Sequence, residues 1–162
     1  MNKKVKVIIA VGGTGGHIFP GCHLARHLTE KHYNVTLVTD SRGYKFLENF
    51  KDLSVKILPS SKILGTGLLW KFITIFLIIF TILRSILFLL FNRPKVVFGM
   101  GGYASFPICI AASILRIKFI IYENNLIIGK ANKYLLPFAN KIIVSKRQVE
   151  GISQKFEYKL IE

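Results

Sequence analysis

The sequence has 162 residues, 51% of them hydrophobic, enough for one domain with a buried core and too few for two ordinary domains. Lysine and arginine number 23 against 8 acids, a formal net charge of +15, so a partner reached by long-range electrostatics should be anionic: nucleic acid, acidic lipid or a phosphorylated substrate. The two cysteines, Cys22 and Cys109, lie in apolar segments without CxxC or Cys/His ligand spacing, which argues against a disulfide framework and for a reduced, cytosolic compartment.

In chain order, Val5–Val11 is a short β-branched run that reads as a first strand, too brief for the apolar core of a signal peptide. A glycine cluster, Gly12-Gly13-Thr14-Gly15-Gly16-His17, leads into a predicted helix from about Ile18 to Lys31. Further strands are predicted near Val35–Thr39, Val55–Leu58, Lys95–Met100, Phe119–Glu123 and Lys141–Ser145. Helices are predicted near Tyr44–Phe50, Leu68–Phe91, Tyr103–Leu115 and Gly129–Phe138. Several strands are apolar throughout, as when helices cover both faces of a sheet, so the expected fold is α/β, a doubly wound, mostly parallel, Rossmann-like sheet over residues 1–162. The sequence stops at Lys159-Leu160-Ile161-Glu162, where another strand is expected to begin.

Ligands on such sheets bind beyond the strand C-termini, and two glycine clusters fall there. The first exposes backbone N–H groups at a helix N-terminus, a setting that favours phosphate or pyrophosphate. The competing reading is a tight turn that needs glycine only for packing. The second cluster, Gly99-Met100-Gly101-Gly102-Tyr103, repeats the arrangement on another strand and favours a binding cleft. A dinucleotide fingerprint fails, because the third glycine position counted from Gly13 is Ile18, and no GxxxxGK[ST] phosphate loop is present.

His17 follows the first cluster at a helix start, where an imidazole can serve as a general base or simply pack. His23 and His27 share i, i+4 spacing but have no third ligand, and Asp40 and Asp52 form no DxD pair, so no metal is assigned. Tyr122-Glu123-Asn124-Asn125, followed by Gly129 and Asn132, brings hydrogen-bonding side chains to the same sheet edge, suited to sugar hydroxyls or to turns and caps.

Leu68–Phe91 is almost wholly apolar, with Lys71, Thr74, Thr81, Arg84 and Ser85 falling near one helical stripe, read as its polar face. A membrane span is disfavoured. Only 12 uncharged residues separate Lys71 from Arg84, roughly 18 Å of helix against a hydrocarbon core of about 30 Å, and crossing would split the sheet. An interfacial helix is expected, with Trp70, Lys71, Phe72, Ile75, Phe76, Ile79 and Arg84 against the membrane and Lys62, Arg93 and Lys95 nearby to attract acidic lipid. The alternative is a helix buried under neighbouring elements.

The two glycine clusters, the Ile18-Phe19-Pro20 that follows the first, and Glu123-Asn124-Asn125 with Gly129 and Asn132 together resemble the MurG-type members of glycosyltransferase family 28, in that family's order and across essentially the whole chain. The resemblance implies the N-terminal, acceptor-side domain of a two-domain GT-B enzyme. That enzyme moves GlcNAc from UDP-GlcNAc to lipid I, undecaprenyl-pyrophosphoryl-MurNAc-pentapeptide, to form lipid II. It implies a peripheral location on the anionic cytoplasmic face of the bacterial inner membrane, with the C-terminal donor-binding domain expected to be absent here. By the same resemblance Thr14, Gly15, Gly16, Gly101, Gly102, Tyr103, Glu123 and Asn125 would bind substrate, and His17 would be the base of an inverting transfer without metal or other cofactor. Tyr122 and Asn124 depart from the family's His and Gln. Two rival readings remain open: a non-catalytic membrane-recruiting subunit that needs a separate donor-binding chain, and a nucleic-acid binder. The latter draws on charge alone, so no nucleic-acid partner is expected.

Overall fold

The computed structural model describes residues 4–60, 67–146 and 148–162. Lys62, counted above among the basic residues around the apolar helix, lies outside the described residues. Among the described residues seven strands form one sheet: β1 (Lys6–Ala10), β2 (Asn34–Thr39), β3 (Val55–Ile57), β4 (Val96–Gly99), β5 (Lys118–Glu123), β6 (Lys141–Val144) and β7 (Leu160–Ile161). The order is β3-β2-β1-β4-β5-β6-β7, and every pair is parallel.

The winding direction reverses between β1 and β4, which pair side by side with Ala10 opposite Gly99. Both glycine clusters leave the sheet at this switch, the place where such folds open a crevice. Side chains alternate across the strands. Val7, Ile9, Val35 and Leu37 meet Ile18, Cys22 and Ala25 of α1 (Gly15–Glu30) on one face. Ile8, Ala10, Val97, Phe119 and Ile121 face the other way, against Leu89 of α3 (Leu68–Asn92), Ile108 and Cys109 of α4 (Ser105–Ile114) and Leu135 of α5 (Lys130–Leu135). Helices on both faces account for the uninterrupted apolar strands. Burial pushes the Cys22 thiol up to about 11 and the Cys109 thiol up to about 12, leaving both cysteines un-ionised and inert at neutral pH.

Three of the differences from the sequence expectation have a clear physical cause. Helix α1 begins three residues early, at Gly15, because the Thr14 carbonyl already accepts from the N–H groups of both His17 and Ile18. The helix expected over Tyr44–Phe50 is instead a short α2 (Ser41–Tyr44) followed by a separate 3-10 turn at Glu48–Phe50. Asp40 is the cause. At the end of β2 its Oδ1 accepts from the N–H groups of Arg42 (3.1 Å) and Gly43 (2.9 Å), so the helix starts at once.

The third difference is the orientation of α3. Lys71 and Arg84 are exposed as expected, but Thr74, Thr81 and Ser85 are buried, in line with Leu89 on the face that packs against α4. Small hydroxyl side chains are cheap to bury here. Thr81 Oγ1 donates to the Ile78 carbonyl at 2.9 Å and Ser85 Oγ to the Thr81 carbonyl at 2.8 Å, so their polar atoms are satisfied within the helix. The large apolar side chains point outward instead: Phe72 is 63% exposed, Phe76 69% and Phe91 84%. Helix α3 is, among the described residues, the one helix long and apolar enough to cross a membrane. It nevertheless connects β3 and β4 of a single sheet, so both of its ends stay on that sheet.

Asp40 also holds Arg42, whose Nε and Nη2 donate to Oδ2 at 3.0 and 2.6 Å, while Ser60 Oγ donates to the same oxygen at 2.6 Å. Burial alone would raise the Asp40 carboxyl. The hydrogen bonds from Ser60, Gly43 and Arg42 outweigh it and hold the carboxyl below its ordinary value of 3.8. Such a group stabilises the fold above that ordinary value and loses its contribution as pH falls through the lowered one. Asp40→Ala should cost about 1–3 kcal/mol at neutral pH in denaturant unfolding. The gap from the parent protein should close as the pH is taken well below 3.8.

Candidate active-site cleft

Three loops meet where β1, β4 and β5 end. The first, Val11–Thr14, carries the chain from β1 into α1 and presents the unpaired N–H groups of that helix's first turn. The second, Met100–Ala104, joins β4 to α4. Its Gly101 and Gly102 take φ values of +94° and +77°, in the left-handed region that side chains disfavour. The two loops are in direct contact. A Cβ on Gly12 would fall 2.8 Å from the Gly101 carbonyl oxygen, and one on Gly101 would fall 2.8 Å from Nδ1 and Cε1 of His17. The His17 ring is therefore clamped between the loops, and glycine is required at Gly12 by space and at Gly101 by space as well as by backbone angle.

The third loop follows β5 and is organised by Glu123, which is 1% exposed. Its Oε1 accepts from the Asn125 N–H (3.1 Å) and Asn125 Nδ2 (2.7 Å), and its Oε2 from the Gly129 N–H (2.9 Å) and Asn132 Nδ2 (3.0 Å). Four internal donors occupy the carboxylate, so Glu123 positions Asn125 and the start of α5; the sequence reading had placed it among the substrate contacts. With one Nδ2 hydrogen committed to Glu123, the Asn125 amide has its Oδ1 and its second Nδ2 hydrogen left to offer a ligand.

Pro20 ties the first loop to the third. Proline has no N–H, so the Gly16 carbonyl four residues back receives no helical hydrogen bond. Asn124 Nδ2 donates to that carbonyl at 3.1 Å, across a separation of 108 residues. Tyr122 packs among the α1-side core residues rather than into the cleft, and its carbonyl accepts from Asn132 Nδ2 at 2.9 Å.

His17, Gly102, Tyr103, Glu123, Asn125 and Gly129 line a cleft of about 160 Å³, shared with Lys130, Ala131 and Asn132. Among the described residues three buried side-chain atoms lack a hydrogen-bond partner: His17 Nδ1, Asn124 Oδ1 and Asn132 Oδ1. All three belong to this loop cluster, where orphaned polar atoms mark a place built to meet a polar ligand. No hydrogen-bond partner on Nδ1 holds the His17 ring in one tautomer.

Thr14, Gly15 and Gly16 surround the first helical turn as expected, and Tyr103 stands 42% exposed at the cleft edge. Trp70, Phe72, Ile75, Phe76 and Ile79 lie apart from the cleft on the outward face of α3. Two cations escaped the sequence reading. Lys130 lines the cleft. Arg42 flanks the first glycine loop, where a Cβ on Gly13 would sit 3.4 Å from its guanidinium carbon. Neither lies in a recognisable motif; folding alone brings them to the site.

The profile of the glycosyltransferase family 28 N-terminal domain matches residues 7–144. The chain is 36% identical over 160 residues to the UDP-N-acetylglucosamine--N-acetylmuramyl-(pentapeptide) pyrophosphoryl-undecaprenol N-acetylglucosamine transferase of Pelagibacter ubique, covering 99% of this chain and 44% of that protein. It is 40% identical over 146 residues to the transferase of the same name from Rhodospirillum centenum, covering 90% and 38%. The chain thus spans about two fifths of the length of these relatives. The crystal structure of Acinetobacter baumannii MurG superposes with a TM-score of 0.78 at 22% identity, covering 92% of this chain and 44% of that one, and has the same fold.

The Glu123 hub gives a direct test. Glu123→Gln puts an amide NH2 where two donors already point, and should cost about 1–3 kcal/mol of stability. Amide hydrogen exchange should accelerate at Asn125 and Gly129 and stay unchanged in β1 and β2.

Proposed function

The chain belongs to glycosyltransferase family 28, and from that membership we propose that it is the acceptor-side domain of an enzyme that transfers GlcNAc from UDP-GlcNAc to lipid I, making lipid II for peptidoglycan. The observation that carries this reading is the cleft where His17, Gly102 and Tyr103 meet Asn125 and Asn132, in which His17 Nδ1 and Asn132 Oδ1 are buried without a hydrogen-bond partner. Backbone N–H groups at the start of α1 would hold the acceptor pyrophosphate, assisted by Arg42 beside Gly13. Asn125 Oδ1 would accept from a hydroxyl or N–H of the donor sugar.

The reaction we assign is an inverting displacement without a metal ion. His17, through Nε2, takes the proton of the MurNAc 4-hydroxyl. That oxygen forms a bond to the GlcNAc anomeric carbon as the bond from that carbon to the UDP oxygen breaks, and UDP leaves with the electron pair. Uridine binding would fall to a donor-binding domain, on this chain or a separate one.

The same proposal places the domain on the cytoplasmic face of the inner membrane, with α3 lying in the interface. Its outward phenylalanines, with exposed Lys71 and Arg84, form an apolar surface fringed by positive charge.

Transfer of labelled GlcNAc to a lipid I analogue should appear when the C-terminal half of a family relative is added, and His17→Ala should lower kcat by about 100- to 10,000-fold. Transfer that survives His17→Ala would remove the base assignment, and no transfer in either mixture would favour the recruiting subunit. In vesicle sedimentation, replacing Phe72 and Phe76 with serine should weaken binding to anionic vesicles at least about tenfold. Equal binding by parent and variant would refute the placement of α3.

A further inference from the structure

Beside the His17 cleft runs a larger groove of about 670 Å³, formed by Ile78 of α3, Phe106 and Pro107 of α4, and Tyr134 of α5. Tyr103, Lys130 and Ala131 line both spaces, so the groove and the cleft adjoin. Its lining is apolar except near Lys130 and Lys133, both exposed, with Lys130 at the shared mouth. On the far side, Ile78 is flanked along α3 by outward-facing Ile75 and Ile79. A ligand that left the cleft past Tyr103 would therefore meet a positive charge first, then apolar walls, then the exposed face of α3.

That sequence of surfaces matches a pyrophosphate joined to a hydrocarbon chain. We propose that this groove binds the first isoprene units of the acceptor's polyprenyl tail, with Lys130 facing the pyrophosphate at the junction. The inference rests on the acceptor-domain reading and adds a site to it. The volume lies within the ordinary range for pockets that enclose organic ligands, far more than a phosphate alone needs. A compact ammonium at the mouth suits a phosphate as a point charge, and the walls gain free energy for every methylene they cover.

The experiment is binding of inorganic pyrophosphate, geranyl pyrophosphate and farnesyl pyrophosphate to the whole chain by calorimetry, each below its aggregation threshold. Affinity should rise with prenyl length, farnesyl pyrophosphate binding at least about tenfold tighter than inorganic pyrophosphate. Ile78→Ser and Tyr134→Ser, each of which removes a wall of the groove and not of the cleft, should each bring the two within about threefold while inorganic pyrophosphate binding persists. Thermal melts identify any variant that has lost its fold, and either variant alone suffices. Phe91→Ser, on the outer face of α3 away from the groove, should preserve the length dependence.

Equal affinity for all three ligands would overturn the groove assignment and leave the phosphate site standing. A length dependence that survives both groove variants but disappears in Phe91→Ser would place the tail on the outer face of α3 and overturn it too. Failure of every ligand to bind, inorganic pyrophosphate included, would strike the acceptor reading itself.

Discussion

The pairing of β1 with β4 is the constraint on which the rest of this molecule depends. Residues 10 and 99 would have no reason to be neighbours in an unfolded chain, yet the sheet sets Ala10 beside Gly99 and so brings two glycine-rich loops together. Parallel pairing demands a long crossover between distant strands. Here the crossovers place α1 on one face and α3, α4 and α5 on the other. The cleft occupies the gap left where the winding reverses, and β5, as the next strand outward, delivers the asparagines to the same edge.

Within that frame the site is held mainly by backbone groups and neutral side chains. Glu123 is its one buried carboxylate, saturated by four donors. The link from Asn124 to the Gly16 carbonyl exists because Pro20 has withdrawn the N–H that would otherwise compete for it. A residue usually described as disrupting a helix thus frees the acceptor that fastens two loops together. The site's rigidity comes from contacts separated by more than a hundred residues in sequence, which ties its geometry to the completeness of the whole fold.

Much of this was legible in the sequence because it follows from local pattern. Continuous β-branched runs, glycines after two of them and amphipathic or apolar stretches between strands suffice for the winding and for the location of His17, Tyr103 and Asn125 at one edge. What the pattern did not carry was direction and partnership. Periodicity assigned Thr74, Thr81 and Ser85 to a polar stripe, but hydrophobicity alone does not say which face meets the protein when most of the helix is apolar. The hydroxyls satisfy themselves on the helix's own carbonyls and pack inward. Likewise a carboxylate in a loop reads as a substrate contact until its four donors are seen, and Arg42 and Lys130 reach the cleft only through tertiary placement.

The clamp around His17 has a consequence for how such a domain varies through descent. Gly12 and Gly101 belong to segments nearly ninety residues apart, yet a side chain added at either arrives in the same small volume, against the opposite loop or the imidazole itself. At Gly12 the obstructing atoms are chiefly backbone, which no replacement elsewhere removes, and at Gly101 only loss of the imidazole itself would make room. The two loops are therefore one unit of inheritance. Drift is nearly closed at the interlock, so ancestry should stay readable at these glycines long after much of the remaining sequence has diverged.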